Sequence, residues 1–426
     1  MKIFKILNLL ILVLLMNFFG SARAQEVLRW EDCVAEAQKN HPDLASAEEK
    51  LNQAKANKDI TKSGIFPQVT GNADGSTSKV SSKKSSKAYS YDISGSQLLF
   101  DGFKTSGNLA VALEEIKSAQ YNYQVISSNI RLRLRTAFVE LLKAQDLLGI
   151  TETIAKRRRD NLELVTLSYE AGLEHKGSFL TSQANAQQAR FEVDQAKRNL
   201  SLSQRQLIKE LGRDILAADA GSLKVEGDFI LSDTVKEKPD FAAIAQTSPL
   251  LRQLIADREA ARLGIQTARA DFMPKVFAST LLGKTSTRWP PNNDKWSLGL
   301  SLSVPIFEGG LQSAQLAKAK SLYSQLLADE RSGKDGVFLT LEQAWINLVD
   351  AVDNIEVKGK FLDAARERAK IAQAQYSIGI VSFDNWTIIE DELVRADKTY
   401  LDAQADALLA QAQWIQAKGG TIDHEN

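Results

Sequence analysis

Apolar and polar residues follow two periods along this chain, in an order that occurs twice. From Leu44 through Ala47, Leu51 and Ala54 the apolar positions step by three and four, the spacing of one helix face, until Gly64 and Pro67 end the run. Upstream, Leu28 to Ala37 reads as a short amphipathic helix that His41-Pro42-Asp43 breaks. Between Pro67 and Phe100 the step shortens to two, with Tyr89, Tyr91, Ile93, Gly95, Gln97 and Leu99 on one side and Ser90, Asp92, Ser94 and Ser96 on the other. After Gly102 the helical step returns and runs without a proline to Tyr169, a rod of roughly 100 Å at 1.5 Å per residue. Gly172 marks a reversal, and a return helix follows.

The whole plan comes back 207 residues later, Pro42 recurring as Pro249, Pro67 as Pro274, Tyr169-x-x-Gly172 as Tyr376-x-x-Gly379, and Gly212 as Gly419. A register held over this length indicates one unit built twice. Within it Leu134, Ala137, Leu141, Ala144 and Leu148 form a coiled-coil seam, repeated as Leu341, Ala344, Leu348, Ala351 and Ile355. The alternation is sharpest in the second copy, where Trp296, Leu298, Leu300, Leu302, Val304 and Ile306 share one face and Ser297, Gly299, Ser301 and Ser303 the other. The incoming arms carry Val69, Gly71, Ala73 and Gly75 in one half and Val276, Ala278, Thr280 and Leu282 in the other.

These patterns divide the chain into a signal peptide at 1–24 and a first repeat at 25–222, with a β-hairpin near 67–100, a long helix near 103–168 and a return helix near 178–211. A linker at 223–240 follows, with a short strand or loop at 223–229 beside the coiled coil. The second repeat spans 241–420, with a hairpin near 274–307, a long helix near 310–375 and a return helix near 385–418, before a tail at 421–426. The signal peptide rests on Lys2 and Lys5, the apolar run from Ile6 to Phe19, and the small residues of Ala22-Arg23-Ala24. No later stretch is a candidate membrane-spanning helix.

Composition removes several functions. Basic and acidic residues balance at 53 each, so no charge excess argues for a nucleic-acid partner. Cys33 is the single cysteine, and His41, His175 and His424 fall in separate segments, so the sequence assembles neither a metal cluster nor a catalytic triad, and no cofactor is expected. Gly309-Gly310 lacks the lysine of a phosphate loop, and the mature chain keeps only Met273, too little for a thioether relay. Arg157-Arg158-Arg159 and Lys83-Lys84 read as solvated basic faces.

What needs explanation is the greasy side of the hairpins. It packs either on protein, as in a soluble periplasmic scaffold or adaptor, or on lipid. The remainder of the chain reads as helix and offers no partner sheet. In lipid a sheet must close, and four strands are too few for a barrel, so several copies would have to pool strands. The aromatic residues Tyr89, Tyr91, Trp289 and Trp296 sit where an interfacial girdle belongs, with a packed strand residue the alternative reading of Trp296.

Leu28-Arg-Trp-Glu-Asp-Cys-Val34, His41-Pro-Asp-Leu44, Phe100-Asp-Gly102, Val304-Pro-Ile-Phe-Glu-Gly-Gly310 and the paired Tyr-x-x-Gly turns together resemble the TolC-like outer-membrane efflux and secretion channels over essentially the whole mature chain. The resemblance implies a mostly α protein with a β-barrel contribution. Three protomers with four strands each would make a twelve-stranded barrel in outer-membrane lipid, continued by an α-helical periplasmic tube. It further implies a passive exit channel, not an enzyme, serving a tripartite efflux pump or type I secretion system with a periplasmic adaptor and an inner-membrane transporter. It places Tyr169, Gly172, Leu173 and Ser178, with Tyr376, Gly379, Ile380 and Ser382, at a periplasmic tip where the adaptor docks, and makes Asp384 a candidate aperture acid.

Overall fold

The computed structural model describes residues 26–79, 81, 85–216, 223–229 and 237–423; the signal peptide expected at 1–24, Lys83, Lys84 and His424 lie outside them. In chain order the described elements are β1 (Glu26–Leu28), α1 (Trp30–Asn40), α2 (Pro42–Ser63), β2 (Gln68–Ser78), β3 (Ser86–Phe100), α3 (Lys104–Glu170) and α4 (Lys176–Glu210). They continue as β4 (Leu223–Val225), α5 (Phe241–Thr247), α6 (Pro249–Ala270), β5 (Lys275–Ser286), β6 (Asn293–Ser303), α7 (Leu311–Ser377) and α8 (Phe383–Ala417).

Corresponding helices have equal lengths: 22 residues for α2 and α6, 67 for α3 and α7, 35 for α4 and α8. The punctuation explains this. Pro42 and Pro249 open α2 and α6 at the first helical turn, where a missing N–H is harmless. His41 caps α2 through Nδ1, which accepts from the Asp43 amide at 3.2 Å. At the other end α4 and α8 stop at Gly212 and Gly419, both with positive φ (79° and 83°).

Those two glycines also join helices end to end. A Cβ on Gly212 would lie 2.4 Å from the Asn40 carbonyl oxygen, and one on Gly419 would lie 2.5 Å from Pro249 Cδ. Thus α4 abuts α2, α8 abuts α6, and each stacked pair lies along a long helix of its own half. Around the tube the order is α2, α3, α6, α7 near the sheet and α4, α3, α8, α7 away from it.

The seam residues lie largely inside. Leu134, Ala137, Leu141, Ala144, Leu341, Ala344 and Leu348 are buried, whereas Leu148, Ala351 and Ile355 are half-buried. Leu134 and Leu141 meet Cys33, Val34, Leu207 and Leu211 in one cluster; Leu341 and Leu348 meet Phe241 and Trp414 in another. Burial pushes the Cys33 thiol up to about 12, out of the range of thiolate chemistry.

Some boundaries differ from the sequence reading. Leu28 belongs not to a helix but to β1, which pairs in parallel with β4. The reason is local: Gln145 brackets Val225, donating to its carbonyl at 2.9 Å and accepting from its amide at 3.0 Å, so β4 is held against α3 and offers its other edge to residues 26–28. Arg213 tightens this belt by donating to Glu26 (2.7 Å) and Glu36 (2.5 and 2.7 Å), and its hydrogen bond holds the Glu26 carboxyl below its usual range. The last strand ends at Ser303, because Pro305 has no N–H for a ladder, so Val304 and Ile306 lie beyond β6.

Substituting the junction glycines tests the end-to-end packing. Gly212→Ala and Gly419→Ala should each cost about 1–3 kcal/mol, because they add strain at positive φ to a backbone or ring clash. Gly149→Ala, inside α3 with nothing within 4 Å of its Cβ position, should instead gain roughly 0.5–1 kcal/mol. Denaturation midpoints of the purified protein check both signs.

Candidate functional site: a strand belt and a helical tip

The four long strands form one antiparallel sheet in the order β2-β3-β5-β6. Opposite residues share a face, so the ladder can be followed across it. Leu302 pairs with Val276, Leu300 with Ala278, Leu298 with Thr280 and Trp296 with Leu282. Next, Leu282 pairs with Ile93 and Thr280 with Gly95, and these pair with Gly71 and Val69. One face is therefore mainly an apolar belt, with Thr280 and Gln97 as polar members and Lys284 at its loop end.

Among the described residues no helix covers this belt: Trp296 is 75% exposed, Leu298 78%, Leu300 72% and Leu302 67%. The opposite face carries Ser297, Gly299, Ser301 and Ser303 on β6, Ser90, Asp92, Ser94 and Ser96 on β3, and Thr70, Asn72 and Asp74 on β2. Asn72 donates there to Asp92 at 3.0 Å. Phe277, Leu281 and Leu98 are apolar exceptions on this side. Leu99, assigned to the apolar face by alternation, is the extra residue of a bulge between Leu98 and Phe100; Phe100 takes the place opposite Val276.

Aromatic side chains mark both ends of the belt. Tyr89 and Trp289 meet edge to face at 6.1 Å at the loop end, and Phe100 meets Phe103 at 5.5 Å at the helix end. Among the described residues β2 pairs only with β3 and β6 only with β5, so both outer edges of the sheet have no described strand beside them.

At the far end of the helices lie the two turns. Gly172 (φ 73°) and Gly379 (φ 77°) reverse the chain, and Leu173 and Ile380 donate back to Ser168 and Gln375 at 2.8 and 2.9 Å. His175 caps α4 by accepting from the amide of buried Ser178 at 3.2 Å, whereas Ser382 stands at the start of α8 without a side-chain cap. Each turn closes on an aromatic stack: Tyr169 on Phe179 at 5.4 Å, and Tyr376 on Trp386 at 4.2 Å. Phe179 and Trp386 escaped the sequence reading, although they too are repeat partners and each follows its tyrosine by the same spacing.

The two stacks are not equivalent. Tyr376 is 9% exposed and packs with Val165 of α3, Ala372, Phe383 and Trp386, whereas Tyr169 is 38% exposed. The Tyr376 hydroxyl donates to Glu174 Oε1 of the other turn at 3.2 Å. Burial, reinforced by the Glu174 charge, pushes this phenol up to about 12, so it stays a donor. Leu173, Ile378 and Ile380 point into solvent, as does Asp384 in the first turn of α8.

Above the tip, the basic run behaves differently from a solvated face. Arg158 pairs with Asp391, and Arg157 approaches Glu390 at 3.3 Å, tying α3 to α8; of the three arginines Arg159 alone is exposed. Glu390 is 3% exposed, and burial pushes its carboxyl up. Lys398 of α8 reaches Glu192 of α4 at 2.7 Å.

The pattern of the outer membrane efflux protein family matches residues 33–213 and 242–420. The chain belongs to that family. Among relatives, it is 22% identical to outer membrane efflux protein BepC of Brucella suis biovar 1 over 412 residues, covering 95% of this chain and 84% of the relative. It is 23% identical to outer membrane protein TolC of Escherichia coli over 452 residues, covering 99% and 87%. The structure superposes on the CmeC outer membrane channel of Campylobacter jejuni with a TM-score of 0.82 at 17% identity, covering 92% of this chain and 86% of that one. The chain is thus an outer-membrane efflux channel with a large helical portion in the periplasm. Among the described residues no helix is long and apolar enough to cross a membrane, and no group of His, Cys, Asp or Glu is placed to hold a metal.

Removing the buried stack should loosen the tip. Trp386→Ala should cost about 3–5 kcal/mol, whereas Tyr376→Phe, which keeps the stack and loses the bond to Glu174, should cost about 1 kcal/mol. Limited proteolysis at residues 378–382 reports both, with rapid cleavage expected only in Trp386→Ala.

Proposed function

We propose that three copies of this chain close into one passive exit duct, each giving four strands to a twelve-stranded barrel and its helices to the tube beneath. The observation that carries this reading is the exposed belt on a sheet with two unpaired edges. In hydrocarbon an unpaired edge costs several kcal/mol per backbone group, so β6 of one copy must pair with β2 of the next. The strands are 11 to 15 residues long, which matches or exceeds the roughly 9–11 that a tilted membrane strand needs.

The helical layer supports the same closure. Its outermost members are α4 and α7, and each presents uncovered apolar side chains: Leu180, Phe191 and Leu202 on α4, Val357, Phe361 and Ile371 on α7. Beside them, α4 carries exposed Arg190, Lys197 and Arg198, whereas α7 mixes Glu356, Asp363 and Glu367 with Lys360, Arg366 and Arg368. Uncovered apolar strips on both flanks suit a joint between neighbouring copies.

In this reading the belt residues Trp296, Leu298, Leu300 and Leu302 face lipid and the serine face lines the lumen. Leu173, Ile378 and Ile380, with Tyr169, Gly172, Ser178, Tyr376, Gly379 and Ser382 behind them, form the surface that meets a periplasmic adaptor. That adaptor links the duct to an inner-membrane transporter of an efflux pump or type I secretion system. Asp384 from three copies rings the aperture. The duct performs no chemistry, and its partners supply the energy.

The test is assembly and conductance together. The mature chain should run as a heat-modifiable trimer and give discrete steps in planar bilayers; a monomer in the soluble periplasmic fraction would overturn the reading. Leu300→Arg should cost on the order of 2–4 kcal/mol and deplete the trimer, whereas Ser301→Arg should leave the trimer intact and change its conductance. Equal tolerance at both positions would show that lipid and lumen faces are misassigned.

A further inference from the structure

The loop end of the sheet carries more positive charge than the protein itself neutralises. Thr77 pairs with Lys87 and Gly75 with Tyr89, so Lys87 continues the belt face one step past Tyr89. Lys79 follows Thr77 at the next position of the same parity. Arg288 precedes Trp289, whose ring meets Tyr89. Lys79, Lys87 and Arg288 are all exposed, and none has an ion pair with the described residues. Lys284 is the exception on this rim, at 3.3 Å from Asp294.

The opposite rim is built differently. There Lys104 and Lys275 share Asp271 at 2.6 and 3.5 Å. Lys275 of the sheet is thus paired at the helical end, whereas at the loop end Lys79, Lys87 and Arg288 have no ion pair among the described residues, and Lys295 is a fourth such cation on the opposite face. The first three stand just past Tyr89 and Trp289 at the loop end of the sheet.

We propose that this outer rim binds the phosphate groups of outer-leaflet lipid, a phosphomonoester-bearing saccharolipid of the lipid A type, with Lys79, Lys87 and Arg288 as the cations. The proposal rests on the barrel reading: helices on the periplasmic side put the loop end in the outer leaflet. The apolar belt takes the acyl chains, the rings of Tyr89, Tyr91 and Trp289 lie at the glycolipid backbone, and the three cations close on the phosphates. Charge complementarity and continuity with the belt select this ligand over a neutral lipid.

The experiment uses the assembled trimer in nanodiscs of neutral lipid doped with bis-phosphorylated lipid A, dephosphorylated lipid A or phosphatidylglycerol, with lipid retained per trimer measured by native mass spectrometry. At about one decade or slightly less per cation near an anionic headgroup, the wild type should retain bis-phosphorylated over dephosphorylated lipid A on the order of a hundredfold, and salt should weaken the preference. The combined Lys79→Gln, Lys87→Gln and Arg288→Gln variant should lose it, and Lys62→Gln, at the helical end, should keep it. Equal retention by the triple variant, an equal loss in Lys62→Gln, or phosphatidylglycerol held as firmly as lipid A would each overturn the assignment. Conductance of the same preparations reads the barrel separately, so a conducting trimer without lipid preference defeats this inference alone.

Discussion

An open β-sheet in hydrocarbon is an incomplete object. Each strand edge presents N–H and C=O groups that only another strand can satisfy, because no water competes for them in the membrane. In the proposed duct the β2 and β6 edges impose that requirement, and the uncovered face between them is what carries the sheet into lipid. Much of the remaining architecture follows. The helical layer has the same left-to-right order as the sheet above it, with flanks on the same two sides, so the proposed association of copies would complete both at once.

The duplication gives the two halves equal helices but not equal surroundings. Tyr376 sits in a closed cluster that borrows Val165 from the other half, whereas Tyr169 stacks on Phe179 near solvent. Similarly, Gln183, the counterpart of buried Glu390, is exposed. The second turn is thus braced by the first hairpin, and the reverse bracing is weaker. Two copies of one sequence plan have drifted into an anchoring arm and a looser arm, which a single-repeat description would miss.

The sequence displayed the periodic parts of this design well. Helix lengths, the two turns and the two sides of β6 all follow from local periods and from proline and glycine, which act within a few residues of where they stand. What escaped was decided at long range. Residues 26–28 form a strand only because Gln145 of α3 has already oriented β4, and Leu28 taken alone fits a helix start equally well. The basic run at Arg157 and Arg158 looked like a solvated face until α8 brought Glu390 and Asp391 against it. Phe179 and Trp386 were visible as repeat partners, but no local rule distinguishes a stacking ring from any other buried one.

The glycine junctions carry a mechanical consequence. At the level of Gly212 and Gly419 two of the four rods in each protomer's wall are interrupted, and only α3 and α7 continue unbroken. Flexural stiffness must fall at that level, since an end-to-end abutment resists compression but not opening. The β1–β4 ribbon and the carboxylates gripped by Arg213 lie beside the Gly212 junction, so the first half carries a clamp next to its own weakest point.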